Sequence, residues 1–136
     1  MIAPKVQKPT RADEADAYEL ATIRDLDTCQ RCRARCGPSN RDHRKNRSQG
    51  GWTVASNLQI LGGTGTTGCH GWATSHPALA VAEGWACPSW AEPAEWPARR
   101  AVDGALVWVL YDDAGGIRVI TDAEADRRMH ADGIIF

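Results

Sequence analysis

Between residues 29 and 76, from CQRC to CHGWATSH, the chain collects four of its five cysteines and three of its four histidines. The same segment carries RDHR at 41–44, an acid and a histidine side by side between arginines. Hydrolysis of a phosphodiester needs a base to take a proton from water and a cation to neutralise the charge that develops on phosphate. Histidine titrates near neutrality and suits the first task; an aspartate can hold a hard divalent ion for the second. His43 is therefore the candidate base and Asp42 a candidate metal ligand. His70 follows Cys69 at the start of a helix expected over 69–76. If Cys69 is pinned to the same knuckle as Cys29 and Cys32, His70 faces Asp42 as a second ligand, and the helix N-terminus favours an anionic phosphate nearby. Asn57 lies between them in sequence, where an amide can bridge the loop backbone and hold the base in place. In a regular strand Asp42 and His43 point to opposite faces, so they share one cleft only if the strand bends or ends there.

The cysteines suggest a second centre. Cys29, Cys32 and Cys69 are three candidates for a structural zinc site, and Cys36, four residues past Cys32, is the candidate for the fourth ligand that a closed tetrahedral site needs. The alternative is that these are ordinary buried thiols, as expected for Cys87. No apolar run approaches the roughly 20 residues that span a bilayer, and the N-terminus has no apolar core of a secretory signal. A cytoplasmic protein with no membrane partner is expected, and there clustered thiols indicate metal rather than disulfides.

Net charge is −1, which taken alone argues against a nucleic-acid partner. The distribution argues the other way. Arg31, Arg33, Arg35, Arg41, Arg44, Lys45 and Arg47 fall between residues 30 and 47, against the single acid Asp42. Such a surplus is a footprint that phosphate backbones recognise, and Arg31, Arg33, Arg41, Lys45 and Arg47 are the candidate DNA contacts. A non-catalytic zinc-knuckle DNA-binding module would use the same cysteines and arginines, but would not need Asp42, His43 and His70 in that order. A zinc deaminase requires His-x-Glu followed by Pro-Cys-x-x-Cys, which the chain lacks. A two-Cys, two-His finger fails on spacing after His43. The loop GGTGTTG at 62–68 has no Gly-Lys-Ser/Thr ending and is not read as a phosphate-binding loop.

Taken in order, Cys-x2-Cys, Asp-His-Arg, Asn-Leu-x-x-Leu and Cys-His resemble the HNH endonuclease family, and SQGGWTVASNLQILGGTGTTGCHGWATSHP is similar to its versions in bacteriophage genomes. The resemblance spans roughly residues 20–90. It implies an α+β fold with a ββα-metal (His-Me finger) core. It also implies His43 as general base, Asp42 and His70 as ligands of a catalytic divalent cation (Mg, Mn, Ni or Zn), and Asn57 as the residue ordering the loop. Arg44 becomes a phosphate contact in catalysis. The implied activity is DNA cleavage or nicking; phage relatives of this size often act with the terminase in genome packaging, in the host cytoplasm, and others are mobile homing-type nucleases. Two departures stand out. Gly62 occupies the place where relatives carry the first cysteine of a second pair. Thr74 stands four residues after His70, where a same-face partner would lie, and His76 is expected to pack at the helix end or touch substrate.

The surrounding elements must position these groups. Residues 1–16 are expected as a flexible tail, 17–90 as the nuclease domain and 91–136 as a C-terminal strap and β-hairpin packed on it. A helix is expected over 12–27, with Ala17, Leu20 and Ile23 at helical spacing. A turn-rich knuckle follows at 28–40, a short strand at 41–45, a glycine-containing loop at 46–56 and an apolar element at 57–61. Helices are expected over 69–76 and 77–84, the latter ended by Gly84. The Trp/Pro-rich stretch 85–100 is expected as an extended strap, with Trp90 and Trp108 serving the core. Residues 105–121 read as a hairpin turning at Asp-Asp-Ala-Gly-Gly, and 122–129 as a last helix before His130 in a polar tail.

Overall fold

The computed structural model describes residues 7–130, which form four α-helices and two small antiparallel sheets, an α+β arrangement. Residues 1–6 and 131–136, at the ends of the expected tail and C-terminal region, lie outside the described residues. Helix α1 (Arg11–Arg24) starts with a reciprocal cap. The Thr10 hydroxyl accepts from Asp13 N at 3.1 Å and the Asp13 carboxylate accepts from Thr10 N at 2.9 Å, satisfying two amides that a helix start leaves free. Residues 11–16, expected in the tail, are thus the first turns of the helix. The helix ends at Arg24 instead of 27, because Leu26 and Asp27 take left-handed φ values of 54° and 48°. Its buried face is made of alanines, Ala17 and Ala21 against Leu58; Ile23, expected on that face, is exposed.

Strand β1 (Ser39–His43) pairs antiparallel with β2 (Leu58–Gly62), placing Asp42 opposite Gln59 and His43 opposite Leu58. β2 is buried along its whole length. A glycine loop then leads into α2 (Gly68–Ser75), whose Cys69 packs with Leu61 and Cys29. The loop has a packing reason for its glycines. A side chain on Gly37 would come within 2.7 Å of Gly63 Cα, so the knuckle and the loop touch backbone to backbone. Helix α3 (Pro77–Ala82) follows, with Pro77 at its first position, where the missing N–H costs nothing.

The C-terminal third is a three-stranded meander, not a two-stranded hairpin. β3 (Ala98–Val102) pairs with β4 (Ala105–Tyr111), and β4 with β5 (Ile117–Ile120). The extra strand begins immediately after Pro97, the last proline of the strap, and turns at Asp103 and Gly104, both at positive φ. Helix α4 (Asp122–His130) lays Ala125 on Leu110 and Ile120, and extends to include His130. Trp85 and Trp96 are buried, but Trp90, expected in the core, is 68% exposed and packs edge-on against Trp96.

A buried ion cluster ties the two sheets together. Asp25 accepts from Arg24 Nε at 2.8 Å, from Arg100 Nη1, and from the Ile60 amide at 3.0 Å. Arg100 also donates to Arg24 O and to the Tyr111 hydroxyl. Each buried charge has opposite charge and hydrogen bonds around it, the condition under which ionic groups tolerate an interior.

Candidate active site

Asp42 and His70 meet between β1 and the first turn of α2. His70 Nδ1 lies 3.0 Å from Asp42 Oδ1. The nitrogen is shielded from solvent and meets no partner at hydrogen-bonding angles among the described residues. The other carboxylate oxygen, Oδ2, accepts from Gln59 Nε2 at 3.0 Å. One oxygen is thereby fixed, and the other is directed at an imidazole nitrogen with which it is misaligned for a hydrogen bond. That is the disposition expected of two donors aimed at a common third atom, and the donor set, one carboxylate and one imidazole, suits a divalent cation whose remaining ligands are water or phosphate.

His43 is the last residue of β1, which resolves the strand geometry: where the strand ends, both Asp42 and His43 line one open cleft of about 260 Å³. His43 Nε2 lies 2.9 Å from the hydroxyl of buried Thr53, and its ring meets Tyr18 of α1 edge-on at 6.1 Å. Burial first, then the Arg47 charge, lower its pKa below 6.5, against the weaker pull of Asp42 and Glu14. A histidine so placed is neutral at pH 7 and able to accept a proton.

Asn57 is wholly buried and clamps the segment after His43. Its Oδ1 accepts from Lys45 N at 2.8 Å, and its Nδ2 donates to Lys45 O and Trp52 O, each at 3.0 Å. One side chain thus ties the exit of β1 to the loop carrying Thr53. Arg44, expected to touch phosphate, does something else. It is 2% exposed, and its guanidinium donates to the carbonyls of Ser56, Pro93, Trp96 and Pro97. Arg44 lies just past the end of β1, beneath the C-terminal strap, where backbone carbonyls take its donors and the Tyr111 ring lies 5.5 Å away. Thr53 and Gln59 are the site residues that sequence reasoning missed. Gln59 was accessible in principle, since an antiparallel pairing of 39–43 with 58–62 sets it opposite Asp42; Thr53 sits in a loop with no such register.

The second centre is complete in four sulfurs. Those of Cys29, Cys32, Cys36 and Cys69 all lie within 4.8 Å of one another and can hold a metal ion. All five cysteines are unbridged. Burial pushes the Cys29 thiol up, but the backbone amides of Cys32, Gly62 and Arg31 outweigh it and bring it down to about 7. Burial pushes Cys69 up to about 12, with the Arg31 guanidinium opposing. Cys87 is buried apart from them, packed with Ala91 and Trp96.

The basic residues divide by role. Arg31 lies over the Trp72 ring at 3.7 Å and reaches Cys69 Sγ at 3.5 Å, between knuckle and helix. Arg33 is exposed and donates to Gln30; Arg41 is exposed, bonded to Thr22 and 5.7 Å from the Tyr18 ring. Arg47 is exposed with only a 3.8 Å pairing to Glu14, whereas Lys45 is half-buried and donates to Ala91 O. His76 stacks on Trp72 at 5.3 Å at the end of α2, away from His70. No helix is long and apolar enough to cross a membrane among the described residues. No family model, curated protein or solved structure matches the chain.

Proposed function

We propose that this chain is a metal-dependent DNA endonuclease or nickase with the ββα-metal core of the HNH family, built from β1, β2 and α2. The observation that carries this reading is the convergence of Asp42 Oδ1 and the unpartnered His70 Nδ1, 3.0 Å apart, beside a cleft that also takes in His43. Asp42 and His70 would hold the divalent cation (Mg, Mn, Ni or Zn), which when bound offsets the negative charge that develops on phosphate during hydrolysis. Gln59 keeps the carboxylate turned towards that position. His43 holds Thr53 through Nε2, which leaves Nδ1 as the nitrogen that takes the proton from water. Asn57 keeps the base in register by tying the backbone just after it, at Lys45, to that of Trp52 beside Thr53. Exposed Arg33, Arg41 and Arg47 supply phosphate contacts along the duplex. The four-cysteine knuckle is read as a structural zinc site that pins α2, and with it His70, against β1. On the phage-type resemblance, the protein would act in an infected bacterial cytoplasm and assist genome packaging with a terminase.

Plasmid cleavage by purified protein, scanned over magnesium, manganese, nickel and zinc, tests the reading. Wild type should cut in at least one of these ions and His43→Ala should bind DNA as before without cutting. DNA binding with no metal-dependent cleavage would instead favour the zinc-knuckle binding module.

A further inference from the structure

The cleft beside Asp42 and His43 extends well past them, and its walls are chemically mixed. Pro77, Val81 and Pro88 supply apolar surface. Asn46 and Gln49, both exposed on the turn that follows His43, and exposed Ser89 supply amides and a hydroxyl. Arg44 is the basic residue in that wall, and it is 2% exposed with its guanidinium committed to four backbone carbonyls. Among the described residues the cleft therefore presents no free cation to a phosphate. An apolar wall with amide donors and acceptors at its rim is instead the lining that suits a planar, neutral ring with polar edges. A volume of about 260 Å³ admits such a ring and excludes a duplex.

We infer that this cleft receives an unpaired nucleobase adjoining the scissile phosphate, so that the substrate class is DNA with an unpaired nucleotide at the cut: single strands, flaps or bulges. The inference rests on the nuclease reading for its position next to the cleavage point. A base held in a stacked pair cannot reach the cleft without leaving the duplex, at an unstacking cost that an already unpaired nucleotide avoids. Asn46 and Gln49 can each meet a base edge with both a donor and an acceptor. They are specificity residues in this scheme and take no part in the chemistry.

The experiment uses short oligonucleotides carrying 2-aminopurine at successive positions, as single strands and as perfect duplexes, with wild type, Asn46→Ala/Gln49→Ala and Ser89→Trp, the last filling the cleft. Emission reports base insertion and product analysis reports cutting. Expected are a change in emission at one position of the single strand, and a preference for unpaired over paired substrate of about tenfold or more in kcat/KM. Both should be lost in the two variants, whose circular dichroism should match wild type. Equal cutting of paired and unpaired DNA, with emission unaltered at every position, overturns the inference and leaves the nuclease reading standing. A cleft-dependent emission change without cleavage in any ion supports the base pocket and overturns the nuclease reading instead.

Discussion

The Cys36 sulfur fills the space that any side chain at position 62 would need: a β-carbon on Gly62 would lie 2.6 Å from Cys36 Sγ and 3.6 Å from Cys29 Cβ. The two positions are alternative routes to one corner of the thiol cluster. The chain supplies the fourth sulfur from the knuckle, and the β2 residue facing it is a glycine. Any side chain at 62 should then expel the Cys36 thiol. Gly62→Ala is expected to lower zinc content measured by elemental analysis, whereas Cys36→Ala/Gly62→Cys returns a sulfur to the same corner and should recover it. Equal zinc in wild type and Gly62→Ala would break the link.

The metal-free protein has its own signature. Cys29 is depressed from 9.0 to about 7 in the folded chain. A lowered folded pKa means the unfolded chain binds more protons in that interval, so the stabilisation is complete above pH 9 and disappears as pH falls through 7. Chelated protein should therefore lose denaturant resistance between pH 9 and 7, and Cys29→Ser should flatten that slope. Cys69, raised to about 12, runs the other way: its contribution is present below pH 9 and is lost as pH rises from there through 12. With zinc bound, the transition should move well below pH 7, because protons must then displace a metal.

Arg44 is expected to matter for folding and not for DNA. Four carbonyls from two distant segments depend on its fork, and Lys cannot reproduce that planar geometry. Arg44→Lys and Arg44→Met should each cost roughly 3 kcal/mol or more in urea unfolding, from buried acceptors left without donors. The DNA affinity of the folded fraction, and its salt dependence, should match wild type; a flatter salt slope would return Arg44 to the phosphate contacts.

These cases show which parts of the molecule were legible in sequence. The groupings were: Asp42 with His70, and the four cysteines, stand out by type and spacing, and the folded chain brings each set together. What spacing does not encode is the direction of a side chain at the end of a strand, so Arg44 was read outward when it points in. Nor does it encode which proline stops mattering. Pro97 ends the strap, and the polar pair Arg99-Arg100 hides a strand because Arg100 is buried by its ion pairing with Asp25, seventy-five residues away in sequence. Ile23 failed as a core residue for a related reason. Close packing of α1 on β2 is made by alanines, and the larger residue is left outside.

Thr53 offers the finest test of the chemistry. If His43 is the base, it must present an unprotonated Nδ1, which requires Nε2–H to point at the Thr53 hydroxyl 2.9 Å away. Thr53→Val removes that acceptor while keeping the volume, so the tautomer is no longer fixed. The expected result is a fall in kcat of about 10- to 100-fold with KM little changed, and recovery in Thr53→Ser. Nitrogen chemical shifts of His43 should report the Nε2–H tautomer in wild type and a mixture in Thr53→Val. Because burial holds the His43 pKa below 6.5, the acid limb of the kcat/KM profile should fall below that pH, with activity lost as pH drops through the depressed value. A profile whose acid limb sits above 6.5, or a Thr53→Val enzyme with wild-type turnover, would remove His43 from the role of base.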